Sequence, residues 1–350
     1  MEYDVLSTER GWYCSCPDHV YREQRCKHIR AVELSFILRR IVAEAPLLIQ
    51  PINLSVCPKC SSQDIKKVGL RHNKAGDLQK LRCKACGYWF TINLGFERMQ
   101  STPQMITSAM QLYFTGESLR NTQKFLALQG VTVSHVSIYN WITKYVRLME
   151  GYLDKLTPKV GDTWRTDELF LKVKGNMKYL FAMMDDDTRF WIAQQVSDHK
   201  AISDVRPMFE EAQERAGKKP KVLISDGAPN FASATIKAWW TQKKEGRVAH
   251  VADIRLGIEV HNNKMERMNG EVRDREKVMR GLKRTDTPIL RGYQLFHNYI
   301  RPHEALNGET PADRCGIKVE GANKWLTIIQ NASQLTGVNS KTNPREVTQT

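Results

Sequence analysis

A mixed α/β domain, preceded by two small cysteine-rich modules and a trio of helices, is the fold class this sequence predicts. Three observations carry the prediction. Seven of the eight cysteines fall in the first quarter of the chain, at 14, 16, 26, 57, 60, 83 and 86, and only Cys315 lies beyond. Between residues 103 and 150 the apolar residues recur at helical spacing. From about residue 160 the texture changes to strand-like runs that alternate with amphipathic helices.

Length and charge set the outer bounds. With 350 residues the chain is long enough for several domains, at least one with a sizeable core. Lysine and arginine number 53 against 38 aspartates and glutamates, a balance of +15. Such an excess points to a polyanionic partner, nucleic acid being the commonest; simple solubility and attraction to anionic lipid are the alternatives. No apolar stretch approaches the roughly 18 residues that span a bilayer. The start, MEYDVLSTERGWYCSC, lacks the basic-then-apolar pattern of a secretory signal. The expectation is a soluble cytoplasmic protein with no membrane partner.

The cysteines suit metal better than disulfides. Cys57-Pro-Lys-Cys60 and Cys83-Lys-Ala-Cys86 are two CxxC pairs with 22 residues between them. Each pair can form a tight knuckle that offers two thiolates, and together they complete a tetrahedral zinc site. The gap leaves room for a hairpin through KKVGLRH and LQKLRC, which predicts a zinc ribbon over 51–98. Upstream, Cys14-Ser-Cys16 is followed by Cys26-Lys-His28. Residues i and i+2 of an extended chain face the same way, so Cys14 and Cys16 can share one ion with Cys26 and His28. This CxC…CxH pattern resembles the SWIM-type zinc finger and is assigned, with a helix, to residues 1–50. A redox-active cysteine cluster is the alternative. Two Zn²⁺ ions would use seven cysteines and one histidine, and each could serve purely to replace a core too small to fold alone.

Residues 99–152 read as a helix-turn-helix unit. PQMITSAMQLYFTG, SLRNTQKFLALQG and HVSIYNWITKYVRLM are three helices, with Ser134 an N-cap of the last. Two helices joined by a short turn after Gly130 would present the last to a DNA major groove, with Ser137, Asn140 and Lys144 on one face. Val136, Ile138, Trp141, Ile142 and Tyr145 include the core anchors. The alternative is a packing spacer.

The domain at 160–315 follows the ribonuclease H-like order. WRTDELFLKVKG, KYLFAMMDDD and RFWIAQQVSD are three strands joined by tight turns at GNM and DDT. AISDVRPMFEEAQERAG is a helix, KVLISD a buried strand, ATIKAWWTQKKEG a helix and RVAHVAD a strand, with two helical segments closing the domain. The result is a mixed five-stranded sheet flanked by helices. In that layout the middle of the first strand and the end of the fourth are neighbours, which sets Asp167 beside Asp226. The residues from 316 to 350 read as a polar tail.

A third acid, Glu266, opens the long basic helix NNKMERMNGEVRDREKVMRGLK. Met265, Met268, Val272, Met279 and Leu282 form one apolar stripe at 100° per residue. Glu266, Arg273, Lys277, Arg280 and Arg284 share another face, on which Glu266 is the one acid; Glu271, Asp274 and Glu276 point elsewhere. One carboxylate among four cations fits a metal ligand beside a phosphate track, and a solvated helix of mixed charge is the bland alternative. Carboxylate oxygens suit Mg²⁺, and two such ions can hold the attacking and leaving oxygens of a phosphoryl transfer. Three local alternatives arise. Glu168 neighbours Asp167 but should face the other side of the strand; Asp185, Asp186 and Asp187 look like a turn; Glu259 could substitute for Glu266. Asp226-Gly227 could be an ordinary turn, and Arg301-Pro302-His303 a helix terminator.

WRTDELFLKVKG, ISDGAPNF, HNNKMERMNGEVRDREKVMRG and FHNYIRPHEALNGETPADR, in that order, resemble the DDE transposases of prokaryotic insertion sequences, near the insertion-sequence-six group and related to retroviral integrases. The resemblance runs from about residue 100 to 315. It implies Asp167, Asp226 and Glu266 as the catalytic triad holding two Mg²⁺ or Mn²⁺ ions, with 58 residues between the first two and 39 between the last two. Asn263 also fits the family pattern. It further implies metal-dependent 3′-end cleavage and strand transfer, DNA partners (terminal repeats and target), at least a homodimer, and a cytoplasmic, nucleoid-associated location. Arg301-Pro302-His303 becomes a fold signature near the active site. The rivals are a DNA-binding regulator that has lost its chemistry and a structure-specific two-metal nuclease.

Overall fold

The computed structural model describes residues 3–8, 11–73, 76–91, 93–252, 262–278, 282 and 287–339. Backbone proximity divides the chain into two units, Met1–Leu47 and Leu48–Thr350.

In the first unit, β1 (Val5–Thr8) and β2 (Gly11–Cys14) form an antiparallel hairpin in which Val5 pairs with Cys14. A short helix α1 (Pro17–Arg22) and a long one, α2 (Lys27–Glu44), follow. The buried cluster of this unit consists of Cys14, Cys16, Cys26 and Ile29, with Tyr3, Val5 and Trp12 packed against it. Among the described residues, three of its four buried members are cysteines.

The second unit opens at the end of β3 (Leu47–Ile49), whose Ile49 carbonyl accepts from the Glu320 amide. A three-stranded sheet, β4 (Ile65–Asn73), β5 (Gly76–Cys83) and β6 (Trp89–Thr91), carries the second cysteine group. Three helices come next, α3 (Pro103–Thr115), α4 (Leu119–Leu128) and α5 (His135–Leu153). Each starts at a hydroxyl N-cap, Thr102, Ser118 and Ser134, whose oxygen accepts the backbone N–H three places on in the first turn. Ile138, Trp141, Ile142 and Tyr145 of α5 are buried, whereas Val136 is exposed.

The α/β portion follows. Strands β7 (Thr163–Val173), β8 (Asn176–Asp185) and β9 (Trp191–Ser197) form an antiparallel meander. Helix α6 (Ile202–Ala216), strand β10 (Val222–Ile224), helix α7 (Pro229–Trp239) and strand β11 (Ala249–Val251) then place two strands parallel to β7. The sheet order is β11-β10-β7-β8-β9, the mixed five-stranded arrangement expected of a ribonuclease H-like domain. Helix α8 (Asn263–Glu276) lies along β7, and α9 (Pro288–Leu295) runs into a wider turn over Phe296–Ile300. One hydrophobic core runs from Ile106 and Phe114 of α3 through Trp164 and Phe181 of the sheet to Trp325 and Ile329.

Three expectations change. Helix α7 begins at Pro229, not Ala234, and ends at Trp239, with only a single 3-10 turn at Lys244–Gly246. Proline suits the first helical position because its φ is preset and its missing N–H would have had no partner there. The described part of the basic helix ends at Glu276, with Lys277 as its C-cap, shorter than the charge pattern suggested. Finally, residues after 316 are not simply a tail. After the one-turn α10 (Pro311–Arg314), β12 (Ile317–Val319) and α11 (Lys324–Asn339) pack into the core. Trp325, Ile328, Ile329 and Ala332 are buried at i, i+3, i+4 and i+7 spacing, an apolar stripe that the polar composition of 316–350 concealed. Arg280, Arg284, Met279 and Glu259 lie outside the described residues.

Candidate active site

The site is built at the place where the sheet loses a strand. Strand β10 pairs with β7 for three residues, ending at Ile224 opposite Arg165. Beyond that point no strand among the described residues pairs with the β10-facing edge of β7, and Asp226 follows just past the end of β10. Helix α8 lies along this stretch of β7: Glu276 accepts from the Lys172 amide, and Asn269 Nδ2 donates to Asp167 Oδ2 at 2.8 Å.

Asp167 and Asp226 are thereby brought together, and Glu168 joins them. One carboxylate oxygen from each of the three lies within 4.8 Å of the other two. The backbone shapes both aspartates. The Glu168 amide donates to Asp167 Oδ1 at 2.9 Å, and the Ala228 amide to Asp226 Oδ1 at 3.1 Å. Asp167 is partly buried, and burial pushes its carboxyl up to about 7, with the charges of Asp226, Glu168 and Glu266 adding to the effect. Oxygen donors at this separation fit a hard divalent ion.

Glu266 is near but not in the group. It lies exposed in the first turn of α8, and its charge raises Asp167, yet its carboxylate is not among the three that converge. Asn263 begins the same helix. Alternation along the strand predicts Glu168 apart from Asp167, yet one carboxylate oxygen of each lies within 4.8 Å of one from Asp226. Asn269 was also missed, although its place three residues after Glu266 puts it on the same flank of α8.

The loop that carries Asp226 is clamped. Buried Ser225 donates its amide to the Val251 carbonyl, and its hydroxyl is 2.9 Å from His250 Nε2. Burial holds the His250 imidazole below its ordinary pKa. Gly227 has φ +89°, and a Cβ there would come 2.2 Å from the Ala252 carbonyl oxygen. Gly227→Ala should therefore displace Asp226 and cost about 1–3 kcal/mol of stability. Thermal melting together with Mn²⁺ titration checks this; a variant equal to wild type in both would show that the loop tolerates a side chain.

The other acids have structural partners. Asp185 closes the turn predicted for 185–187, accepting from the amides of Gly161 and Thr188. Asp186 pairs with Arg165 and with Lys264 at 2.7 Å; burial would raise its carboxyl, but the two cations hold it below the usual range. Arg301 forks onto Glu271 of α8 at 2.6 and 3.0 Å, so the Arg301-Pro302-His303 segment braces the helix that bears Glu266. On the exposed side of α8, Arg273 is open to solvent and Lys277 pairs with Asp274 at 2.7 Å. In α5, Asn140 and Lys144 are exposed, while the Ser137 hydroxyl is 3.0 Å from that of Ser134 and Lys144 leans on Met99.

Both cysteine groups close up as their spacing required. In the first, ligand atoms of Cys14, Cys16, Cys26 and His28 lie within 4.8 Å of one another, with Cys14 Sγ 3.7 Å from His28 Nδ1. In the second, Cys57, Cys60, Cys83 and Cys86 converge, with Cys57–Cys86 and Cys60–Cys83 sulfurs each 3.6 Å apart. Bonded sulfurs would be about 2 Å apart, whereas the edge of a tetrahedron with Zn–S of about 2.3 Å is close to these separations. All eight cysteines are free.

Among the described residues, no helix is long and apolar enough to cross a membrane. Residues 161–303 match the DDE domain family. The transposase for insertion sequence-like element IS431mec of Staphylococcus aureus is 27% identical over 146 residues, covering 41% of this chain and 63% of that protein. The transposase for insertion sequence element IS257 in transposon Tn4003 of Staphylococcus aureus matches to the same extent, 27% over 146 residues, 41% of this chain and 63% of that protein. The chain thus spans 63% of the length of these curated relatives. Among solved structures, the HTLV-2 integrase catalytic core domain in complex with magnesium aligns with 46% of this chain and 98% of its own, at 16% identity and a TM-score of 0.33. The simian T-cell lymphotropic virus intasome in complex with PP2A regulatory subunit B56 gamma aligns with 59% of this chain and 73% of that one, at 14% identity and a TM-score of 0.36. Residues 161–303 are a DDE domain homologous to the matching part of the staphylococcal insertion-sequence transposases.

Proposed function

We propose that the chain is a DNA transposase that binds the terminal repeats of its insertion sequence, releases 3′ ends and joins them to target DNA. The observation that carries this reading is the convergence of Asp167 and Asp226 at the β10-facing edge of β7 within a DDE domain. Asp167 and Asp226 would hold Mg²⁺ or Mn²⁺, and Glu266, on the helix that already reaches Asp167 through Asn269, would complete the set. Ions held there supply Lewis acidity and neutralise charge on the oxygens that enter and leave phosphorus. Asn269 and the Glu168 amide fix the Asp167 carboxylate, and the Ser225–His250 clamp fixes Asp226. In the first step water attacks a phosphodiester at the element's end, leaving a 3′-hydroxyl. In the second, that hydroxyl attacks a target phosphodiester, so one P–O bond forms as another breaks and no protein ester arises.

The net charge of +15 supports a DNA partner, and Arg273 on the outer face of α8 is suited to follow a phosphate track. Helix α5, with Asn140 and Lys144 exposed, is the candidate major-groove reader of a helix-turn-helix. Zn²⁺ would be held by Cys14, Cys16, Cys26 and His28 in a SWIM-like finger, and by Cys57, Cys60, Cys83 and Cys86 in a ribbon, where it cross-links segments with little core of their own. Two ends must be held together for joining, so the acting form is at least a homodimer. Strand transfer with labelled DNA from both flanks of the gene, a target plasmid and Mg²⁺ tests the reading. Joined products support it; hydrolysis without joining would indicate a nuclease, and binding with no Mg²⁺-dependent product a DNA-binding regulator.

A further inference from the structure

Glu168 is buried in a way that an ordinary surface salt bridge does not require. Its side chain is only 9% exposed. One carboxylate oxygen, Oε1, takes the Lys200 ammonium; the other, Oε2, is buried and has no hydrogen-bond partner among the described residues. Leaving a buried carboxylate oxygen unmatched is costly. The same carboxylate is one of the three that approach within 4.8 Å at the candidate metal centre. Lys200, by contrast, is 40% exposed and rests over the rings of Phe170 and Tyr179, 5.3 and 4.9 Å from their centroids. The arrangement joins a fixed carboxylate to a counter-charge at the solvent boundary.

We propose that Glu168 is a metal-binding residue of this centre, and that Lys200 is a counter-charge the bound ion displaces. Without the ion, Lys200 offsets part of the crowding among Asp167, Glu168 and Asp226. With a divalent ion held by Asp167 and Asp226, the unmatched oxygen of Glu168 gains its partner and the hold of Lys200 loosens. The inference rests on the reading of Asp167 and Asp226 as a divalent-metal centre, and it adds a ligand outside the Asp167–Asp226–Glu266 set.

The test is Mn²⁺ binding to the full zinc-loaded chain, read from the electron paramagnetic resonance signal of free Mn²⁺, with no DNA and no turnover. Wild type, Glu168→Gln, Lys200→Gln, the double variant and Asp226→Asn are compared, with thermal melting as the check on folding. Glu168→Gln should weaken Mn²⁺ binding about 10- to 100-fold, and Lys200→Gln should tighten it several-fold. The double variant has no buried charge left without its partner, so it stays readable if Glu168→Gln alone does not fold; it should also bind weakly. If Glu168→Gln or the double variant binds Mn²⁺ like wild type while Asp226→Asn does not, the centre stands and Glu168 is merely the partner of Lys200. Unchanged or weaker binding in Lys200→Gln would overturn the displaced counter-charge. Full binding by Asp226→Asn would instead overturn the centre itself.

Discussion

Replacing Asp167 by Asn should abolish strand transfer and, in the absence of divalent metal, make the protein more stable. Loss of activity follows from removing one of the two carboxylates on which the chemistry converges, and a fall of at least about a thousandfold is expected for a group engaged in the transition state. The gain in stability follows from the carboxyl's position. Its pKa is pushed up to about 7 from 3.8 by burial and by the neighbouring carboxylates. Between pH 3.8 and about 7 the folded chain therefore holds a proton that the unfolded chain has released. Stability falls as pH rises through that window and stays lower above it. Asparagine carries no charge and lacks this loss; its Oδ1 keeps the Glu168 amide, and its Nδ2 donates to Asn269 Oδ1, which has no other partner among the described residues, once the Asn269 amide turns over. Three units correspond to roughly 4 kcal/mol, which screening at a partly open site reduces to about 1–2 kcal/mol. Thermal melting at pH 8, with zinc retained and no Mg²⁺ or Mn²⁺ added, should show the variant melting a few degrees higher, and the difference should vanish near pH 3.5. Added Mg²⁺ should raise the wild type alone, by mass action on the folded state. A variant less stable than wild type at pH 8 would contradict the crowding of charges inferred here.

Removing zinc should have the largest structural effect. Among the described residues the buried cluster of the first unit is three cysteines and one isoleucine, so its hairpin and helices are expected to depend on whatever joins those sulfurs. Structural zinc in small modules contributes on the order of 10 kcal/mol to folding at neutral pH, far more than such a cluster could supply. A strong chelator, or Cys14→Ser and Cys83→Ser, should therefore release amide protection over residues 3–44 and 57–91 respectively. The amides of β7, β8 and β9, which belong to the large core, should stay protected. Hydrogen exchange with mass spectrometry reads both regions in one experiment, and metal analysis should find two zinc ions per chain. Unchanged protection in a chain free of zinc would refute the structural role.

How much of this could be read in the sequence depended on the range of the interaction. The two groups of converging cysteine and histidine donors follow from local spacing, because CxC, CxH and CxxC present donors within a few residues of each other. The meander β7–β8–β9 was legible from runs of β-branched and aromatic residues broken by GNM and DDT, and the start of α5 from the Ser134 cap. The approach of Glu168 to Asp226 was not legible because alternation gives only the face on which a side chain leaves the strand, and the two residues are far apart in the chain. Asn269 was hidden for a similar reason: its bond to Asp167 joins residues 102 apart in the chain. The helix at the C-terminus was hidden by composition, since Trp325, Ile328, Ile329 and Ala332 are few among polar neighbours yet all fall on one stripe. Helix α7 starts five residues before the ATIKAWW run because Pro229 is its first helical residue.

The most direct measurement is strand transfer by wild type and Asp226→Asn side by side, with end binding followed on the same labelled DNA. Wild type should give Mg²⁺-dependent joined products, and the variant full binding of the ends with no joining. Joining by Asp226→Asn at the wild-type rate would contradict the assignment of this carboxylate, and with it the site at the β10-facing edge of β7.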